Sequence, residues 1–213
     1  MSHIKVYFYY PNIVGIIRVI TCLIAFYFAF NPIVFLSLYL TSFCLDAIDG
    51  YLARKFNQCS TLGAVLDMVT DRFGTSMLMV VLAMMYEKFF FLFQVQLALD
   101  LASHYSHMYA SHIGSEGVKS HKDIDKSKVF VLHLYYTKHI FLGFVCLCNE
   151  FFFIILYVLH FWKHPALYIL AVLFGIVMAF KQVVNVIQLG SACETLTKFD
   201  WEKKQKEAEK KEE

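Results

Sequence analysis

The chain has 213 residues, of which 59% are hydrophobic and 17% aromatic, and it carries a formal net charge of +2 at pH 7. Such a composition predicts an all-α, polytopic membrane bundle, because backbone polar groups in lipid must be paired within a helix or a closed barrel. The near-neutral charge, without a basic face carrying interleaved aromatics, argues against a nucleic-acid partner.

Six segments are apolar enough to cross a bilayer, which takes about 20 residues in a helix. They cover residues 13–30, 33–52, 62–85, 89–112, 139–162 and 166–189. We therefore expect a membrane domain of six transmembrane helices over residues 1–190. A charged cytosolic tail over residues 191–213 follows, in which Glu and Lys four residues apart favour a solvated helix or a disordered end.

The first predicted span has neither the short apolar core nor the small-residue cleavage site of a signal peptide. It contains Arg18. From that position the guanidinium could reach the headgroups or meet a phosphate, and the sequence leaves both possibilities open.

Four carboxylates lie where the second span ends and the third begins. Asp46 and Asp49 are three residues apart, and Asp67 and Asp71 are four apart, so each pair projects from one face of its helix. The two helices are expected to be antiparallel neighbours, which would bring both pairs to the same end of the bundle. Acids at membrane depth are costly unless paired or hydrated, so they indicate a functional site.

Clustered carboxylates repel one another, and two divalent cations would balance the four negative charges. Carboxylate oxygens suit Mg²⁺, Mn²⁺ or Ca²⁺, and a pair of such ions can clamp the attacking and leaving oxygens of a phosphoryl displacement. Gly50 and Gly63 leave room for a bulky anion, and Arg54 suits a phosphate. The spacing thus favours metal-dependent phosphotransfer over the alternative, exposed loop acids flanking two core helices.

This stretch resembles the CDP-alcohol phosphotransferase signature, D-x2-D-G-x2-A-R-x8-G-x3-D-x3-D. The matching residues are Asp46, Asp49, Gly50, Ala53, Arg54, Gly63, Asp67 and Asp71. The wider chain looks like the eukaryotic phosphatidylinositol synthases in particular, through Pro11-Asn12 with Gly15 and Arg18, the LDAIDG, ARKFNQ and GAVLDMVTDR runs, DLASH at 100–104 and SHKDID at 120–125. The resemblance implies that Arg18 lies near the cytidine diphosphate end of the pocket.

The resemblance implies an enzyme that transfers the phosphatidyl group of CDP-diacylglycerol to myo-inositol, giving phosphatidylinositol and CMP. It implies two Mg²⁺ or Mn²⁺ ions on Asp46, Asp49, Asp67 and Asp71, with Asp71 also the general base. The remaining implied contacts are with CDP-diacylglycerol, through Asn12, Gly50, Ala53, Arg54 and Gly63, and with inositol, through Asp100, His104 and Lys122. A homodimer is also implied.

Two alternatives remain open. A related phosphotransferase would use another alcohol, such as glycerol phosphate or choline, but the chain has only three arginines (Arg18, Arg54 and Arg72), which favours an uncharged polyol. A divalent-cation transporter would also carry acids in membrane helices, although such sites lie near the midplane on broken helices, whereas these acids cluster at one end.

The predicted fourth and sixth spans contain further polar residues. Asp100 and His104 are four residues apart, a spacing that a zinc site could use, but such a site needs a third or fourth ligand, and a polar seam between helices is favoured. Lys181, with Asn185 and Gln188 after it, is expected to point into the bundle or toward a subunit partner.

The distribution of lysine and arginine predicts the orientation in the membrane. Fourteen of the 19 lie on the side that holds both termini and the acids, so these are expected to face the cytosol. Lys210-Lys211-Glu212-Glu213 resembles a dilysine retrieval signal, which favours the endoplasmic reticulum membrane.

Overall fold

A computed structural model describes residues 4–117 and 139–212 of the chain. These residues form helices joined by short turns, and no strand occurs among them. The elements are α1 (Ile4–Tyr7), α2 (Tyr10–Tyr27), α3 (Pro32–Lys55), α4 (Thr61–Met85), a 3-10 turn (Glu87–Phe89), α5 (Phe90–Gly117), α6 (His139–Phe161) and α7 (Pro165–Glu212).

The all-α membrane fold predicted from the sequence is confirmed. The number of membrane-spanning helices agrees only approximately with the six predicted. Within the described ranges, five helices are long and apolar enough to cross a membrane. They are α2, α3, α4, α7 and the part of α6 from Gly143 to Phe161. Helix α5, the predicted fourth span, is 28 residues long but falls outside this group because it carries several polar side chains. Three of those, Gln96, Asp100 and Ser103, are buried.

Two helix boundaries differ clearly from the predicted ones. Helix α2 begins at Tyr10 and not at residue 13, because Pro11 is tolerated in the first helical turn. Helix α7 continues without a break past the predicted end near residue 189 to Glu212. Pairs such as Lys198 and Glu194, with Nζ and Oε1 2.7 Å apart, occur along this extension. The domain boundary near residue 190 remains a prediction.

Capping interactions fix the ends of α3 and α4, and therefore the positions of the acids on them. After α3, the backbone N–H of Gln58 donates to the carbonyl of Ala53 at 2.9 Å. Asn57 has a positive φ of 52°, which asparagine tolerates better than most residues and which closes the helix as glycine usually does. Helix α4 begins at an N-cap, where the Ser60 hydroxyl accepts from the N–H of Gly63 at 3.0 Å.

The chain divides into two units. Unit 1 comprises Met1–Phe93 and Tyr157–Lys163, and in it α2 packs against both α3 and α4. The ring of Tyr157 lies 4.3 Å from that of Phe35, and its hydroxyl donates to the carbonyl of Ala29 at 2.8 Å. These contacts join the Tyr157 end of α6 to α3 and to the end of α2.

Unit 2 comprises Gln94–Leu156 and His164–Glu213. Its core includes Val145 from α6 and Val184 from α7, with Phe141 and Val177 packed against them. Helices α5 and α7 also contact each other in this unit: the amide nitrogen of Gln96 on α5 lies 3.1 Å from the sulfur of Met178 on α7.

Candidate active site

The four predicted acids converge on one arginine in unit 1. Arg18 comes from α2, whereas Asp46 and Asp49 come from α3 and Asp67 and Asp71 from α4. Nη1 of Arg18 lies 2.8 Å from Oδ2 of Asp49 and 3.0 Å from Oδ1 of Asp67. Nη2 lies 2.6 Å from Oδ1 of Asp46 and 2.7 Å from Oδ1 of Asp71. The two acid pairs therefore do face one point, as their spacing predicted.

Three of the four carboxylates are much more accessible to solvent or ligand than the guanidinium is. The Arg18 side chain is 4% exposed and that of Asp49 is 10% exposed. The side chains of Asp46, Asp67 and Asp71 are 37%, 50% and 39% exposed, respectively. The cluster is consequently closed on the α2 side and open along its acidic face, where a charged ligand can enter.

The arrangement of oxygens fits a hard divalent cation. Carboxylate oxygens of Asp46, Asp49 and Asp67 all lie within 4.8 Å of one another, close enough to share an ion. Oxygen ligands of this type and number suit Mg²⁺ or Mn²⁺. Asp71 lies outside this trio but contacts the same guanidinium. The four acids bring four negative charges against the single positive charge of Arg18, so the site can accept further cations.

The central position of Arg18 is the main feature that sequence reasoning missed. The two possibilities considered for it were snorkelling to the headgroups and contact with a phosphate. The structure instead buries the side chain among the acids. A usable signal was present, since an arginine inside a membrane helix needs anionic partners, and the only acids in the first three spans are these four.

Two residues predicted to contact CDP-diacylglycerol lie side by side where α2 and α4 begin. Asn12 is buried, and its amide donates to the carbonyl of Val6 at 2.6 Å. Its Oδ1 is also buried and has no hydrogen-bond partner among the described residues, so it offers an acceptor for a ligand donor. A Cβ on Gly63 would lie 2.9 Å from this oxygen, which explains glycine there.

The other three predicted CDP-diacylglycerol residues lie in the last turns of α3. Arg54 is exposed, and its Nη1 lies 3.6 Å from where a Cβ on Gly50 would be. The carbonyl of Ala53 accepts a capping hydrogen bond from Gln58. The side chain of Gln58 in turn accepts from the N–H of Tyr10 at 2.9 Å, which ties this end of α3 to the start of α2.

Two of the predicted inositol residues, Asp100 and His104, belong to unit 2, and Lys122 lies outside the described residues. Asp100 and His104 are neighbours on α5, with Nδ1 of His104 3.6 Å from Oδ1 of Asp100. The same Oδ1 lies 3.5 Å from Nζ of Lys181 and 3.3 Å from Nδ2 of Asn185 on α7. From the sequence, Lys181 was expected to point either into the bundle or toward a subunit partner. The structure gives it an acid inside the bundle.

Comparison with known proteins is consistent with this geometry. The sequence model of the family described as CDP-alcohol phosphatidyltransferase matches residues 8–187. The chain is 44% identical to the CDP-diacylglycerol–inositol 3-phosphatidyltransferase of Candida albicans, over 92% of this chain and 84% of that protein. The proteins of the same name from Schizosaccharomyces pombe and Mus musculus are 41% and 37% identical, over 94% of this chain in each case and 93% and 96% of those proteins. No solved structure matches the chain.

The matched region begins before Arg18 and ends beyond Lys181, so it contains α2 to α6 and the membrane part of α7. It also contains the whole motif from Asp46 to Asp71, which predicted the family from the sequence. That prediction is confirmed: the chain belongs to the CDP-alcohol phosphatidyltransferase family.

Proposed function

We propose that this chain is a membrane enzyme that transfers the phosphatidyl group of CDP-diacylglycerol to myo-inositol, giving phosphatidylinositol and CMP. The observation that carries the proposal is the convergence of four aspartates from α3 and α4 on one point, in a chain 36–44% identical to proteins named for this reaction. The supporting sequence feature is the scarcity of arginine, which favours an uncharged alcohol acceptor over a phosphorylated one.

The acids have separate roles in this proposal. Asp46, Asp49 and Asp67 hold two Mg²⁺ or Mn²⁺ ions, with Asp71 as a further ligand. When bound, such ions stabilise charge on the diphosphate and on the departing CMP. Asp71 accepts the proton of the inositol hydroxyl while that oxygen forms a bond to the phosphorus of the phosphatidyl group and the bond from phosphorus to CMP breaks. Asp71 is suited to this because it lies one turn further along α4 than Asp67 and is 39% exposed.

Substrate contacts are assigned by position. Asn12, with its unpaired buried acceptor, is proposed to bind the nucleotide together with Gly63. Gly50, Ala53 and Arg54 would hold the diphosphate where α3 ends, because a bidentate guanidinium matches phosphate oxygens. Asp100, His104 and Lys122 are proposed to bind the polyol.

The test is a reconstituted transfer assay. Purified protein in liposomes containing CDP-diacylglycerol is given labelled inositol with Mn²⁺ or Mg²⁺, and labelled lipid and released CMP are measured. We expect equal amounts of both products, and none with chelator or without CDP-diacylglycerol. Incorporation of choline or glycerol phosphate in place of inositol would identify another family member's reaction. Metal uptake without CMP release would favour a transporter.

The enzyme is further proposed to be a homodimer in the endoplasmic reticulum membrane, with the acid cluster and both termini facing the cytosol. The excess of lysine and arginine on that side supports the orientation. Changing Lys210 and Lys211 to serine should release a tagged chain from the endoplasmic reticulum, as seen by microscopy. An unchanged location would remove the dilysine argument, and cross-linking in native membranes tests the dimer.

A further inference from the structure

Arg18 bridges the two acid-bearing helices in a regular pattern. Nη1 pairs with Asp49 of α3 and Asp67 of α4, and Nη2 pairs with Asp46 of α3 and Asp71 of α4. Each terminal nitrogen therefore joins one carboxylate from each helix. A guanidinium is well suited to this because its donors form a rigid planar fork.

The backbone at Arg18 is fixed close to both acid-bearing helices. Its carbonyl accepts a hydrogen bond from the buried hydroxyl of Ser42 on α3 at 3.1 Å. Three residues earlier, a Cβ on Gly15 would lie 2.8 Å from Leu66 of α4, so the helices are in close contact there. Arg18 thus lies on a helix that is packed closely against both neighbours, so any movement of the guanidinium must come from its side chain.

The arginine and a metal ion would use the same carboxylates. Three of the four acids that contact Arg18 are the ones whose oxygens lie within 4.8 Å of one another. One guanidinium leaves the cluster with three uncompensated negative charges, whereas two divalent ions together with the guanidinium would give one excess positive charge. Like charges at such short range repel, and a lone pair that accepts an N–H is not available to a metal.

We propose that Arg18 is a resident counter-ion, which holds the four carboxylates together while no metal is bound and is displaced from them by divalent cations. Displacement also frees the oxygen of Asp71 that Nη2 engages. The buried Nε, which lacks a hydrogen-bond partner among the residues described, is a further donor that the guanidinium can use once it has moved. The inference rests on the metal site of the proposed function.

The experiment measures metal binding and stability, not turnover. Arg18→Met is prepared in Mn²⁺, and the detergent-solubilised protein is then dialysed against chelator. We expect its Tm in chelator to fall by about 5 °C or more relative to wild type, because the four acids have lost the guanidinium that pairs with all of them. Titration with Mn²⁺, followed by the electron paramagnetic resonance of the free ion, should show affinity raised at least about tenfold because no guanidinium competes.

Lys198→Met is the matched control, since it removes one cation from an exposed pair elsewhere in the chain. It should change neither quantity. If Arg18→Met does not fold even in Mn²⁺, Arg18→Lys carries the test, and an intermediate rise in affinity is expected because it keeps one charge without the fork. Unchanged Tm in chelator together with unchanged or weaker Mn²⁺ affinity would overturn the counter-ion role. Wild type that binds no Mn²⁺ would instead overturn the proposed metal site itself.

Discussion

The four aspartates of unit 1 and Asp100 of unit 2 meet basic partners in different ways. In unit 1, four acids share one arginine, and three of the acid side chains are more than a third exposed. In unit 2, Asp100 lies beside Lys181, and their side chains are 4% and 1% exposed. The first cluster has excess negative charge and an open face, whereas the Asp100–Lys181 pair is closed to solvent.

This difference separates two uses of a charge in a membrane helix. A buried pair in which each charge has its partner can remain dry, and removing one member leaves the other uncompensated. A cluster with excess negative charge is stabilised further when cations bind to it from outside. The same residue type therefore forms an open ion site in unit 1 and a buried ion pair in unit 2. Beside that pair, His104 is the more accessible of the two proposed inositol contacts that the structure describes.

The largest expected effect comes from Asp71→Asn in unit 1. Loss of the general base should lower kcat by about 10²–10⁴-fold, while CDP-diacylglycerol still binds because the other three acids remain. Single-turnover CMP release and equilibrium binding separate the two effects. Asp200→Asn, on an exposed turn of α7, is the control and should match wild type. Wild-type turnover in Asp71→Asn would contradict the base assignment.

In unit 2, Lys181→Met should act on stability. It leaves Asp100 buried without its lysine, at a cost of about 3–5 kcal/mol. Unfolding in detergent, followed by circular dichroism, measures the change. The double variant Lys181→Met, Asp100→Asn should regain most of the loss because no unpaired charge remains. A double variant as unstable as the single one would show that the pair does not act through charge.

His104→Ala tests whether the polar edge of that pair contacts substrate. Loss of one hydrogen bond to a hydroxyl should raise the KM for inositol about tenfold, with the KM for CDP-diacylglycerol unchanged. His104→Gln, which keeps a donor, should recover part of the effect. If both KM values rise together, or neither does, His104 is part of the structural pair alone.

Lys198→Ala calibrates the comparison with an exposed ion pair. Its partner Glu194 lies one turn away on α7, and both side chains are more than half exposed. Such pairs contribute about 0.3–0.5 kcal/mol, so stability and turnover should scarcely change. A loss comparable to that of Lys181→Met would remove the distinction between buried and exposed charges in this chain.

Most of the fold followed from local sequence features. Apolar length placed the helices, and the predicted spans 33–52 and 62–85 agree with the ends of α3 and the start of α4 within a few residues. The end of α7 differed most from the predicted span, because hydropathy marks where a helix leaves the membrane and not where the helix itself ends. The solvated helix expected for the tail continues α7 without a break. Helix α5 was predicted as the fourth span, but its polar side chains leave it outside the group of helices that are apolar enough to cross a membrane.

The sequence by itself determined the family and the two acid pairs, because residue type, spacing and helical periodicity are local properties of the chain. Only the tertiary structure decided which cation those acids share. Arg18 is 28 residues from the nearest of them, and its place in the cluster depends on how α2 packs against α3 and α4. The partnership of Asp100 with Lys181, 81 residues apart, was decided in the same way. Charges so distant in sequence meet only when helix packing buries them together, and the cost of burial then requires that they pair.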